Sequence, residues 1–184
     1  MNKKVVAGKM PQYSERLTDD AWPRSMPDEL HRDLRGKWLL EHYGPPGISD
    51  AIQEVLDYEA REGGMAIGPD FLGFIEDYYR IAQYATTFDL RTIIVDVGCC
   101  AGLQQVFFRQ FAGYIGIDQR LHGCVRPLQP NARFIEGKFG ELVKSGAFVI
   151  DSTMFGIANR SLLYQSGNEA SILAFKKFTR LLMG

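Results

Sequence analysis

The sequence predicts an α/β fold, in which a mostly parallel sheet of about four strands follows a helical N-terminal extension. Two observations indicate this class. Short runs of β-branched and aromatic residues alternate with helical segments in the second half, as they do in βαβ units. Segments with helical periodicity and no such runs precede them. The predicted strands span 92–97, 114–118, 133–136 and 147–151.

Three segments of different character divide the chain. Residues 1–26 are polar and interrupted by prolines, so we expect an arm that is extended or partly disordered. Residues 27–90 form the helical extension, and residues 91–184 form the α/β domain. Helices are predicted to begin at Pro27, at Ser49 or Asp50, after Pro69, near Gly102 and at Asn168.

Composition excludes several classes of protein. The 184 residues are 46% hydrophobic and 23% charged, which is typical of a globular domain. The formal charge of -1 removes the electrostatic case for coating nucleic acid or a membrane surface. Three cysteines without a CxxC pair, and three scattered histidines, predict neither a disulfide framework nor a metal site. With no apolar run long enough to span a membrane, we expect a cytoplasmic protein.

Candidate chemistry concentrates in the turn from Asp96 to Gly102, which follows the first predicted strand. Here a buried strand turns on glycine and starts a helix, so backbone N–H groups face the carboxyl end of the sheet. Open α/β sheets bind ligands at that end. The second strand ends in Asp118, whose carboxylate can accept hydrogen bonds from both hydroxyls of a ribose.

At these positions the chain resembles the Rossmann-fold methyltransferases that use S-adenosylmethionine. Their first motif is an acidic residue followed by x-Gly-x-Gly-x-Gly, and the segment from Asp96 to Gly102 matches three of its four marked positions. The resemblance covers about residues 90–183. It implies a sheet in the order 3-2-1-4, S-adenosylmethionine as cofactor, and a cofactor-binding set of Asp96, Gly98, Cys100, Gly102 and Asp118. Asp96 would act near the methionine amino group, directly or through water. The glycines would let the backbone approach the cofactor, and Asp118 would hold the ribose.

Two residues depart from the family pattern. Cys100 stands at the middle glycine of the motif, and Lys138 stands where many relatives carry an acid beside the adenine. Three alternatives therefore stay open. The first is a catalytically inactive binding or assembly module. The second is an α/β domain whose glycines only form a tight turn and which binds nothing, and the third is a nicotinamide dinucleotide-binding protein. The spacing of Gly98 and Gly102 argues against the last, because it does not follow G-x-G-x-x-G.

A methyl acceptor is expected beside the loop after the fourth predicted strand. The resemblance places Asp151 there as the group that orients or deprotonates a nucleophile, with Asn159 or Tyr164 lining the mouth. The acceptor itself, a small molecule or a macromolecule, is not specified. An order of 3-2-1-4 also leaves the fourth strand at an edge. We expect the N-terminal helices or a second copy of the protein to cover that edge.

Overall fold

The computed structural model describes residues 28–62, 71–87 and 89–159, together with 172, 175 and 176. The polar arm predicted for 1–26, and Tyr164, lie outside the described residues. Four α-helices are described: α1 (Asp28–Tyr43), α2 (Ile48–Glu62), α3 (Phe71–Ala85) and α4 (Phe139–Lys144). A 3-10 helix spans Leu103–Phe108, within the segment for which the sequence predicts an α-helix.

A parallel sheet of four strands lies at the centre of the described residues. Its strands are β1 (Ile93–Val97), β2 (Gly113–Asp118), β3 (Ala132–Glu136) and β4 (Met154–Ile157), in the order β3-β2-β1-β4. The α/β fold and this strand order confirm the predictions. All carboxyl ends of the strands meet at one side of the sheet, which we call the carboxyl edge.

The fourth strand is not where the sequence analysis placed it. Residues 147–151 precede β4 and join it to α4, and β4 itself begins at Met154, paired with Ile93 at the start of β1. Phe148 packs against Phe139 of α4 (ring centroids 6.0 Å apart), whereas Val149 is 68% exposed. The apolar run at 147–151 was wrongly assigned because its hydrophobicity reflects packing under α4 and not pairing in the sheet.

Helices cover both faces of the sheet. Ile94 and Tyr114 face α1, α2, α3 and the 3-10 helix, whereas Val95, Ile115 and Ile117 face the opposite layer around Phe139. This alternation buries β1 on both faces, as expected for a central parallel strand. Of the amphipathic helix predicted for 168–182, the described residues 172, 175 and 176 are helical, and Phe175 lies near Phe139.

The connection from β2 to β3 (residues 119–131, the β2–β3 connector) contains no helix. Helix α2 of the N-terminal extension packs against it instead. The ring of Tyr58 lies 4.6 Å from that of His122, and a Cβ atom built on Gly123 would come within 2.6 Å of Tyr58. The extension is therefore joined to the α/β domain beside the end of β2.

None of the helices within the described residues is both long and apolar enough to cross a membrane.

Candidate functional site

The turn after β1 has an unusual backbone. Gly98, Cys100 and Gly102 all have positive φ, at 83°, 49° and 69°. Cys100 is the one residue other than glycine with positive φ among those described, a conformation that costs about 1–2 kcal/mol for a residue with a Cβ atom. The Gly98 N–H donates to the Ile117 carbonyl (2.7 Å), which ties the turn to β2. The middle position of the motif thus has the conformation that favours glycine.

Asp118 lies beside this turn at the carboxyl edge. Its Oδ2 accepts a hydrogen bond from the Cys100 N–H (3.0 Å), and Oδ1 is 3.4 Å from the Arg120 N–H. The residue is partly exposed. One carboxylate oxygen therefore orients the group against the turn, while the other keeps acceptor capacity for a ligand.

Asp96 has a different environment from Asp118. It is 0% exposed, and its carboxylate accepts three hydrogen bonds: from Tyr78 Oη (3.1 Å), Gln104 Nε2 (2.7 Å) and Tyr114 Oη (2.5 Å). Burial raises its pKa to about 6, although the three hydrogen bonds act in the opposite direction. A direct contact with a methionine amino group is not available in this arrangement, because side chains of the protein enclose the carboxylate.

The two adjacent cysteines are not activated nucleophiles. Burial raises the pKa of Cys100 to about 12, and burial also raises the pKa of Cys99 well above its usual value. Cys99 is 0% exposed and lies under the turn, where a Cβ atom on Gly116 would come within 2.8 Å of its sulfur. Cys99 therefore packs as part of the interior, and neither thiol has the lowered pKa of an activated nucleophile.

Gly102 is required by its neighbours. A Cβ atom at this position would come within 2.6 Å of the Phe134 ring and 3.2 Å of Val125. Side chains of β3 and of the β2–β3 connector therefore lie directly against this glycine. Packing and a positive φ are enough to require glycine here, whether or not a ligand contacts its backbone.

Helix α2 contributes a group that the sequence analysis missed. Glu59 Oε1 lies 2.8 Å from His122 Nε2, and the Cys124 N–H donates to His122 Nδ1 (3.1 Å). Because Nδ1 accepts, the ring proton is on Nε2 and is donated to Glu59. The two residues are 63 positions apart, so no local motif could have paired them.

The remaining candidates are dispersed. Asp151 precedes β4 and lies at the opposite edge of the sheet, where it accepts a hydrogen bond from the Thr153 N–H (2.8 Å); its assignment beside the cofactor loop rested on the misplaced fourth strand. Asn159 follows β4 at the carboxyl edge. Lys138 is about half exposed and lies 3.5 Å from Glu141. The described residues contain no cluster of three metal-ligating side chains.

The two aspartates that the resemblance gives to the cofactor differ in their access to a ligand. Asp118 offers a partly exposed carboxylate beside the turn. Asp96 is enclosed and has no direct access to one. Comparison with protein-family models, with curated proteins and with solved structures finds no match for this chain.

Proposed function

We propose that this protein is methyltransferase-like and binds S-adenosylmethionine at the carboxyl edge of β1 and β2. One observation carries the proposal. The partly exposed carboxylate of Asp118 is oriented by the Cys100 N–H, across a turn whose backbone has positive φ at three positions. This combination leaves hydrogen-bonding capacity at the edge where open parallel sheets bind ligands.

The two aspartates have different parts in the proposal. Asp118 accepts hydrogen bonds from the ribose hydroxyls through its available lone pairs. Asp96 stabilises the site from the protein interior. It joins α3 and the 3-10 helix to the sheet through hydrogen bonds from Tyr78 and Gln104. S-Adenosylmethionine supplies an electrophilic methyl carbon when bound, and the protein contributes alignment.

Calorimetric titration with S-adenosylmethionine and S-adenosylhomocysteine tests the proposal. We expect micromolar binding by the full chain. Replacing Asp118 with alanine should weaken binding by about 10- to 100-fold, since hydrogen bonds to a charged group are lost. Asp151→Asn is the matched control, because this carboxylate lies at the opposite edge and should leave affinity unchanged. Absence of binding to both compounds would contradict the proposal.

A second candidate is a module that binds the cofactor without catalysing transfer. The position of Asp151 favours it, since the carboxylate expected to act on a nucleophile lies far along the sheet from the turn. Incubation with cofactor carrying a labelled methyl group and a cell extract separates the two candidates. Label on an acceptor that extract and cofactor alone do not label supports an enzyme, whereas binding without such added transfer supports the module. A reducing compartment such as the cytoplasm is part of the proposal, supported by three free cysteines.

A further inference from the structure

Residues 122–125 of the β2–β3 connector form a tight turn, the connector turn, which His122 stabilises twice. The Val125 N–H donates to the His122 carbonyl (2.9 Å), and the Cys124 N–H donates to His122 Nδ1 (3.1 Å). The imidazole is enclosed, since its side chain is 4% exposed. The bond to Nδ1 requires a neutral ring, because a protonated imidazole carries a proton on both nitrogens and accepts no hydrogen bond.

The two contacts of this ring favour opposite protonation states. Nε2 lies 2.8 Å from Glu59 Oε1, and the carboxylate attracts a positive charge on the ring. Glu59 Oε2 is buried and, among the residues that the structure describes, has no hydrogen-bond partner, so a neutral His122 leaves the carboxylate charge poorly compensated. The Cys124 N–H, by contrast, needs the neutral ring. Histidine is also the side chain whose charge ordinarily changes between pH 5 and 8.

Other charges near the connector turn come from α2 and from the connector itself. After burial, which has the largest effect on the pKa of the Cys124 thiol, the charges that act on this thiol are those of Glu54, Arg126, Arg61 and Glu59. Glu54 and Arg126 pair with each other. In the turn after β1, Cys100 also lies within reach of the Glu59 charge. Glu59 is therefore the charged group that contacts the ring of His122 directly.

The connector turn lies against the proposed ligand site. Val125 would be 3.2 Å from a Cβ atom built on Gly102, and the Arg126 carbonyl accepts a hydrogen bond from Gln105 Nε2 of the 3-10 helix (3.0 Å). The connector also begins directly after Asp118. A change at Cys124 therefore acts on residues that pack against the turn after β1.

We infer that His122 is a positioning residue whose protonation weakens ligand binding beside Asp118. This inference rests on the proposed function and makes acid a regulator of the same site. A proton added to Nδ1 displaces the Cys124 N–H, so the connector turn keeps only one of its two hydrogen bonds to His122 and holds Val125 less firmly against Gly102. The ion pair with Glu59 retains the charged ring, so α2 stays in place while the connector turn loosens.

Calorimetric titration with S-adenosylhomocysteine at pH 8 and at pH 5.5 tests this inference. His122→Gln keeps a donor for Glu59 and an acceptor for the Cys124 N–H, but it does not titrate. Acidification should lower the affinity of the unaltered protein about three- to tenfold more than that of His122→Gln, because the coupling is limited by one hydrogen bond. Asp96, with its pKa of about 6, contributes equally to both proteins. His42→Gln is the matched control, since this exposed histidine of α1 should leave the pH profile unchanged.

Nitrogen-15 NMR of the full chain follows the ring without a variant. As the pH falls, His122 Nδ1 should acquire the chemical shift of a protonated nitrogen, and the Cys124 amide resonance should move with the same midpoint. If S-adenosylhomocysteine binds but His122→Gln has the pH dependence of the unaltered protein, the inference is wrong and the proposed function stands. If the compound binds at neither pH, both are wrong. Should His122→Gln fail to fold, a ring that stays neutral at pH 5.5, or a Cys124 amide that does not follow it, overturns the inference.

Discussion

Tyr114 on β2 donates a hydrogen bond of 2.5 Å to the Asp96 carboxylate on β1, in a part of the interior where Asp96 is 0% exposed. Tyr78 of α3 and Gln104 of the 3-10 helix donate to the same group. One carboxylate therefore links the N-terminal extension, the first crossover and two strands of the sheet. A buried network of this kind is stabilising only while every member is satisfied.

Replacement of Asp96 by asparagine should make folding less dependent on pH. Burial raises the pKa of Asp96 from 3.8 to about 6, so the folded state holds this proton more tightly than the unfolded state does. The tighter binding of this proton contributes fully to the free energy of unfolding below pH 4, and the contribution is lost as the pH rises through 6. A shift of roughly two pKa units corresponds to about 3 kcal/mol. Denaturant unfolding at pH 4 to 8 should show this decline in the unaltered protein and not in Asp96→Asn. Equal slopes would contradict the assignment.

Tyr114→Phe should have its largest effect above pH 6. The ionised carboxylate needs its donors more than the neutral acid does, so removing the Tyr114 hydroxyl should cost about 1.5–3 kcal/mol at pH 8. At pH 4 the loss should be smaller. Unfolding free energies of this variant at the two pH values provide the measurement, and an equal loss at both would mean that packing of the ring dominates.

The sequence allowed much of the α/β domain to be predicted, because β1 and β2 are short apolar runs followed by acids and glycines. The turn and Asp118 were likewise local features. Contacts between distant segments were not predictable in this way. The enclosure of Asp96 depends on Tyr78 and Tyr114, each 18 positions away, and Glu59 meets a histidine from another part of the chain. At 147–151, hydrophobicity alone could not distinguish a strand from a segment packed under a helix.

Replacing Cys100 by glycine should give a more stable protein than replacing it by alanine, which reverses the usual order of these two residues. Alanine is normally the more stabilising of the two, because glycine has more freedom in the unfolded chain. At a φ of 49°, however, the Cβ atom of alanine retains the strain of the left-handed conformation. Cys100→Gly should therefore be more stable than Cys100→Ala by about 1 kcal/mol in denaturant unfolding. Both variants lose the same thiol, so a more stable alanine variant would show that the turn relaxes.

Gly102→Ala should destabilise the protein more than Gly47→Ala. Both glycines have positive φ, at 69° and 83°, but a Cβ atom would meet the Phe134 ring at 2.6 Å in the first case and nothing within 4 Å in the second. Gly47→Ala thus measures backbone strain alone, about 1–2 kcal/mol. Gly102→Ala adds overpacking of about 1–3 kcal/mol. Equal losses in thermal and denaturant unfolding would mean that Phe134 moves aside without cost.

Alkylation of the thiols should report on the closure of the turn. Burial raises the pKa of Cys100 to about 12, against 9.0 for an ordinary thiol, so its thiolate fraction near pH 8 falls by about a thousandfold. Cys99 is buried and its pKa is likewise raised by burial, whereas Cys100 and Cys124 are both partly exposed and the pKa of Cys124 is raised less. In iodoacetamide followed by mass spectrometry, Cys124 should react first, Cys100 far more slowly because little of it is thiolate, and Cys99 only as the protein unfolds. Cys124→Ser provides the control, since it should abolish the fast phase.

Rapid labelling of Cys100 in the folded protein would instead show that the turn opens. Slower labelling of Cys100 on addition of S-adenosylhomocysteine would then locate the ligand beside the turn.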